Sequence, residues 1–410
     1  MPIKVYTLRI DGADTNMAIP NDIIIRVNEA AKSALKQGHD VVNATIGMMF
    51  EDDGALPSFP QVRAAFSRHV NDEDLVYPSV AGEPLFLERS AHWFFGGQMD
   101  DEYQQGRLKA IATPGGAGAL FAAFLALGKD ACVILPRIGW PNYVSQTLSA
   151  GVAHDFYDNY DGNHLDLADI REKLSQKTGE YKSVGLLIND PCQNPTGYSL
   201  SAREWEEIAR FVNEFGGKVK LIIDCAYLNY GSKETVSSLY SVLQSITVSE
   251  TYLCFSYSKT FSIYGVRLGV AMVFDHDADK AKEIQQRLIK IARSVWSVPN
   301  HMAMNAVAEL LREENIPSLN EEINHNKEVV MQRAKIFFRF AEEYGFRVLP
   351  YKEGFFVSIV VEDAVKLVEN LMKEDIYIAP INETTVRIAL CCLPTSKVER
   401  LATGLYHALK

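Results

Sequence analysis

Four apolar runs punctuate the middle of the chain: ACVILP (131–136), SVGLLIND (183–190), KLIIDCAY (220–227) and ETYLCFSYS (250–258). Each is nearly continuous rather than alternating, the pattern of a strand covered on both faces. Amphipathic stretches lie between them. In SAREWEEIARFVNEFG, Trp205, Ile208, Ala209, Phe211 and Val212 fall on one side of a helix. Ser201 and Glu204 form a capping box at its start, and Gly216 with Gly217 supplies the stop. Strand and helix in alternation predict βαβ units around a mostly parallel sheet. The expected fold class is α/β, a large domain with a central sheet flanked by helices.

From about Pro299 the pattern changes. Two long helical runs, HMAMNAVAELLREEN and EEINHNKEVVMQRAKIFFRFAEEYG, precede short strands at FRVLP, GFFVSIVV and TVRIALCC. A smaller α+β domain is expected there. The N-terminal arm and its helix over 21–37 have too little core to stand alone and are expected to pack against it. The expected boundaries are 45–298 for the large domain, with 1–44 and 299–410 forming the small one.

Composition narrows the function classes. The 410 residues are 47% hydrophobic and 23% charged, ordinary for a globular protein with a sizeable core. A net charge of −11 argues against nonspecific nucleic-acid binding, while leaving room for a local basic pocket. Cys132, Cys192, Cys225, Cys254, Cys391 and Cys392 form no CxxC pair and sit mostly in apolar runs, which predicts buried free thiols in a reducing compartment. The start of the chain lacks the apolar core of a secretory signal, and GALFAAFLALG is too short to span a bilayer. The cytoplasm is the expected location, without membrane or nucleic-acid partners.

In open α/β sheets ligands sit at the carboxyl ends of the strands. The segments after the four apolar runs are RIGW, DPCQNPTG, DCAYLNYG and SYSKTF, so polar and aromatic residues collect at those ends. Lys259 stands among small hydroxyls and aromatic rings, either as a solvated loop lysine or as a nucleophile. An amine held near cations and partly desolvated has a lowered pKa and forms Schiff bases. Asp224 closes LIID, either as a helix cap or as the partner of a cationic ring nitrogen. Tyr227, three residues on, suits a ring hydroxyl, as does Asn194 in NPTG unless that segment is only a turn. Trp140 is either core or a stacking platform for a planar group. The glycine-rich start of GGAGALFAAFLALG is either a turn or a phosphate-binding helix start. It fits neither the dinucleotide nor the Walker pattern. Ser256, Ser258 and Arg267 add donors for the same phosphate.

The order NPTG, DxAY and SYSK-xx-xxY-xxR-xG resembles the fold-type I pyridoxal-phosphate aminotransferases, most closely the class I group of aspartate and aromatic aminotransferases. The resemblance runs from VVNATIGMMFEDDG to TTVRIALCCLP. It implies a homodimer with shared active sites and a pyridoxal 5'-phosphate-dependent transfer of an amino group between an amino acid and a 2-oxo acid. Aspartate or glutamate with 2-oxoglutarate is the first substrate reading, aromatic amino acids the next, and a lyase or decarboxylase on the same scaffold a third. By this resemblance Lys259 carries the cofactor and moves the proton. Asp224 pairs with the ring nitrogen, Tyr227 and Asn194 with the ring oxygen, and Trp140 stacks. Gly115, Gly116, Ala117, Ser256, Ser258 and Arg267 hold the phosphate, joined by Tyr77 of the neighbouring subunit. Arg387 binds the substrate α-carboxylate, and Gly47 lines the pocket beside Trp140 and Asn194. Arg293, from the neighbour, is aligned with an arginine for a distal carboxylate; otherwise it is a solvated helix-end residue. Several positions depart from the family pattern. Ala117 replaces a hydroxyl residue, Tyr143 stands where a histidine often backs the aspartate, Ile138 replaces a proline, Trp296 replaces a tyrosine, and the mouth segment MMF (48–50) is apolar.

Overall fold

The computed structural model describes residues 21–410 apart from 58 and 249. The expected N-terminal arm before residue 21 lies outside the described residues. Thirteen strands occur among those described. They are β1 (Val42–Ala44), β2 (Leu108–Thr113), β3 (Ala131–Pro136), β4 (Ala153–Tyr157), β5 (Tyr160–Asp161), β6 (His164–Leu165), β7 (Ser183–Asn189), β8 (Val219–Asp224), β9 (Thr251–Ser256), β10 (Gly269–Phe274), β11 (Phe356–Val360), β12 (Ile376–Asn382) and β13 (Thr385–Ala389). Seven of them form one sheet in the order β2-β10-β9-β8-β7-β3-β4. All neighbours pair in parallel except β10, which is antiparallel to both β2 and β9. The four apolar runs became β3, β7, β8 and β9. Their side chains are almost all buried because helices cover both sheet faces.

The helix Ala202–Glu214 has the expected capping box and buries Trp205, Ile208, Ala209, Phe211 and Val212. The helix Gly115–Leu127 is apolar all round and lies between the sheet and the helices Asn142–Ala150 and Ala278–Val295. The six cysteines are free and buried. No helix among the described residues is long and apolar enough to cross a membrane.

A second sheet has the order β1-β12-β13-β11 and joins the two chain ends, Val42 pairing with Ile376. The helix Asn21–Lys36 lies against β12. Two details differ from the sequence expectation. FRVLP is not a strand: Val348 makes one isolated bridge to Ile359, closed by the Leu349 N–H on the Ser358 carbonyl and the Val360 N–H on the Arg347 carbonyl. TVRIALCC leaves the sheet after Ala389, where Leu390–Cys392 tightens into a 3-10 turn. Packing also runs past Pro299. Ala303, Met304, Ala306, Val307 and Leu310 belong to the large core, as do Leu319 and Ile323 of the helix Ile316–Tyr344. Ala334, Phe337 and Ala341 of that same helix join the core of the small sheet, so this single helix bridges both.

Candidate active site

The carboxyl ends of β7, β8 and β9 lie side by side, with Asn189 opposite Asp224 and Asp224 opposite Cys254. A cavity of about 560 Å³ opens there, walled by both sheets' connections. It gathers Gly47, Gly116, Ala117, Trp140, Asn194, Asp224, Tyr227, Ser256, Ser258, Lys259, Arg267 and Arg387 from segments spread over the whole chain.

Lys259 is set by its local sequence. β9 ends at Ser256, whose hydroxyl accepts the N–H of Ser258 and starts the one-turn helix Tyr257–Thr260. That turn swings the Lys259 amine into the cavity, where it donates to the Gly47 carbonyl at 3.0 Å. The rings of Tyr264 and Tyr227 face the amine at 4.9 Å and 5.7 Å from their centroids. Burial lowers the Lys259 pKa from 10.5 to about 8, aided by the Arg267 and Arg387 guanidiniums and opposed by Asp224. A neutral, nucleophilic amine is thus accessible near neutral pH.

Asp224 is 4% exposed, and both its oxygens are engaged. Oδ1 accepts the Ala226 N–H at 3.0 Å, and Oδ2 accepts the Tyr143 hydroxyl at 2.6 Å. Burial raises its pKa to about 6, held back by these two hydrogen bonds and by Lys259. Asn189 ties the neighbouring strand ends together, donating to the Asp224 carbonyl at 2.8 Å and accepting the Asn194 N–H at 2.8 Å. Burial pushes the Tyr227 phenol well above its usual range, so it stays a neutral donor.

At one end of the cavity the helix Gly115–Leu127 begins with free N–H groups, as every helix start does. Arg267 reaches across it. Its Nη1 donates to Ser258 Oγ at 3.1 Å and to the Tyr264 carbonyl at 3.0 Å, and its φ of 60° is a left-handed conformation unusual for a side-chain-bearing residue. A Cβ on Gly115 would lie 2.5 Å from Arg267 Nη2, so glycine is what lets the guanidinium close over the helix start. Ala117 offers no hydroxyl; its carbonyl instead accepts Gln146 Nε2 at 3.0 Å.

At the other end stands Arg387, 5% exposed. It donates to Asn194 Oδ1 at 3.1 Å and to the Thr45 carbonyl at 2.6 Å, and stacks over the Phe356 ring at 4.5 Å. Its Nε is buried without a partner. A Cβ on Gly47 would press on Phe356 at 2.7 Å, which explains the glycine there.

Two predicted residues lie elsewhere. Tyr77 is 90% exposed on the outer surface, and Arg293 is exposed with its Nη1 on Ser297 Oγ at 2.6 Å. Neither lines the cavity of its own chain. Conversely, Tyr264, Phe356, Asn189 and Thr45 shape the site without having been assigned to it from sequence. Tyr264 sits inside the SYSK motif, its ring against Lys259 and its hydroxyl accepting the Met49 N–H at 2.8 Å. Only its spacing after Lys259 signalled it.

The residues fit pyridoxal phosphate on three observations. Anion donors converge at the helix start, an acidic side chain lies mid-cavity, and a buried guanidinium nitrogen waits unpaired at the far end.

Comparison with known proteins agrees. A model of the family "Aminotransferase class I and II" matches residues 39–405. The tyrosine aminotransferase of Rhizobium meliloti is 29% identical over 63% of this chain and 65% of its own length. The aspartate aminotransferase of Pseudomonas aeruginosa is 24% identical over 74% of this chain and 76% of its own. A solved aminotransferase from Anaerococcus prevotii superposes with a TM-score of 0.87, covering 100% of both chains at 25% identity. With nine-tenths of its length matched, the chain belongs to the class I and II aminotransferases, the pyridoxal-phosphate-dependent transaminases of amino acids.

Proposed function

We propose that this protein moves the amino group of an amino acid, aspartate or glutamate first, to a 2-oxo acid such as 2-oxoglutarate, with pyridoxal phosphate on Lys259. The observation that carries the reading is the Lys259 amine, with its pKa lowered to about 8, in one cavity with Asp224 and two arginines. The bound cofactor supplies an electron sink for the pair left when the Cα–H bond breaks. The protein residues do the rest. Arg267, Ser256, Ser258 and the N–H groups of Gly116 and Ala117 hold the phosphate. Asp224 would accept the ring N–H and favour its protonated form. Asn194 and Tyr227 would donate to the ring oxygen, and Trp140 would pack against the ring. Arg387 would fix the substrate α-carboxylate and so align Cα–H toward Lys259, whose amine, free once the substrate nitrogen has displaced it, takes the Cα proton and passes it on rather than giving it back to Cα.

The homodimer is part of this reading. Tyr77, with Leu75 and Val76 beside it, is an exposed apolar stretch, which suits an arm reaching a second copy. Arg293, exposed on its own chain, suits a distal carboxylate in the partner's cavity. The division into a large cofactor-holding domain and a smaller one from both chain ends also belongs here, with the packing supporting a joint inside the helix Ile316–Tyr344 rather than at Pro299. Six free buried thiols favour the cytoplasm.

Aromatic donors are the second reading. Ile24, Ile25, Ile46, Met48 and Phe356 make the cavity wall apolar, which suits a ring as well as a carboxylate. Single half-reactions followed by cofactor absorbance with aspartate, glutamate and phenylalanine test all of this. Conversion by at least one donor, lost in Lys259→Ala, is expected; no conversion by any donor would sink the transaminase reading. Arg293→Leu should slow the dicarboxylates and spare phenylalanine; equal loss for both would remove Arg293 from the site.

A further inference from the structure

Asp224 has a dedicated partner that the reaction itself does not use. Tyr143 is 2% exposed, on the helix Asn142–Ala150 behind the sheet end. Its ring meets Trp140 edge-on, with centroids 5.5 Å apart at 88°. That packing leaves its hydroxyl pointing at Asp224 Oδ2, 2.6 Å away, a short charge-assisted bond. We propose that Tyr143 is a positioning residue: its hydroxyl is a permanent donor that keeps Asp224 ionised and aimed at the cofactor ring nitrogen. This deepens the function proposed above and rests on it.

The chemistry of a phenol makes the argument. A buried phenol keeps its proton at any working pH, and here burial and the adjacent carboxylate push it well above its usual range. The group therefore donates and never takes Asp224's proton. The other neighbours of Asp224 cannot replace it. Cys225 and Cys254 are buried thiols held neutral, Tyr227 is a neutral phenol, and the charge facing the carboxylate is Lys259 across the cavity. The bound cofactor would bring its own ring N–H to Asp224; before it arrives, the Ala226 N–H and the Tyr143 hydroxyl are the protein donors that hold the negative charge ready for it. Removing one of two such donors raises the carboxyl pKa by about one unit or more. Asp224 would then take up a proton as the pH falls below neutrality, and its hold on the ring nitrogen would weaken there first.

The test measures pyridoxal-phosphate dissociation constants of the purified protein at about pH 6 and about pH 8.5, where one pKa unit reads as up to tenfold in affinity. Tyr143→Phe keeps the ring and removes the donor. It should weaken binding about fivefold or more at the lower pH relative to the higher. In an Asp224→Asn background the same change should have no pH-dependent effect. Equal loss at both pH values, or the same loss without the carboxylate, overturns the proposal. Should the Phe variant not fold, Tyr143→His carries the test. An imidazolium beside Asp224 should strengthen cofactor binding at the lower pH relative to wild type, and an unchanged pH dependence overturns the proposal. A wild type that binds no pyridoxal phosphate sinks the function reading itself; a wild type that binds with an unaffected Phe variant sinks only the role of Tyr143.

Discussion

Gly269 begins β10, the antiparallel strand wedged between β2 and β9, and it touches the start of the phosphate helix. Replacing it by alanine adds one methyl. That methyl would lie 2.5 Å from the Gly115 carbonyl carbon, 2.6 Å from the Phe255 oxygen and 2.8 Å from the Gly115 oxygen, against 3.4 Å for the near edge of ordinary contact. All three are backbone atoms, so no side chain can rotate away. The loop at Gly115 and the end of β9 must separate by several tenths of an ångström. Overpacking of this kind costs about 1–3 kcal/mol, at times more. The strained atoms belong to both arms of the anion cradle, since Gly115 precedes the free N–H groups and Phe255 precedes Ser256. The cost should therefore fall on cofactor affinity as well as stability, about tenfold to a hundredfold at 1.4 kcal/mol per decade. Gly265 lies four residues away, with nothing within 4 Å of its Cβ position, and serves as the control. The assay is denaturant unfolding of the apoprotein together with the pyridoxal-phosphate dissociation constant for both variants. If Gly269→Ala matched Gly265→Ala in both measurements, the steric argument for how the sheet carries the helix start would be refuted.

Other perturbations have defined outcomes. The Lys259 pKa of about 8 in the fold lies below its ordinary 10.5, so between those values the unfolded apoprotein binds the extra proton and stability rises with pH. Lys259→Met should stabilise the apoprotein at pH 7 by on the order of 2–3 kcal/mol, and the gain should vanish above about pH 10.5; urea titrations at the two pH values check it. Arg387→Gln should lower kcat/KM roughly thirtyfold or more through loss of a charged fork onto the substrate carboxylate, measured under single turnover. Arg333 is fully buried and donates to the Phe50, Leu390 and Cys391 carbonyls and to Asp52, so Arg333→Met should cost about 3 kcal/mol or more in urea unfolding. Tyr77→Ala should leave stability within about 0.5 kcal/mol for the isolated chain, because the side chain touches little of it. Weakened cofactor binding in that variant, measured by dialysis, is expected if the residue serves a second copy.

What the sequence revealed and what it hid have one physical cause. The strands β3, β7, β8 and β9 were readable because both sheet faces are covered, which forces long apolar runs and leaves polar residues only at the ends. Those ends are where Asn194, Asp224 and Lys259 stand, so the same pattern that marked the strands marked the site. β2 and β10 went unread: LKAIAT and GVAMVF are equally apolar, but nothing in GVAMVF says that it runs antiparallel and inserts between β2 and β9. Pairing across 156 residues of separation is a tertiary choice, as the partnership of Gly269 with Thr113 illustrates in contrast to the local turn that sets Lys259. The same distinction sorts the site residues. Ser256 and Lys259 are placed by one turn of chain and were legible. Phe356 reaches Arg387 only because β11 and β13 pair in the small sheet, and it was not. Tyr143 reads in sequence as a departure from the family pattern, and its meaning appears only when the helix Asn142–Ala150 sets its hydroxyl on Asp224. The substitution then has a physical content: a donor that cannot give up its proton stands behind a carboxylate that must stay charged.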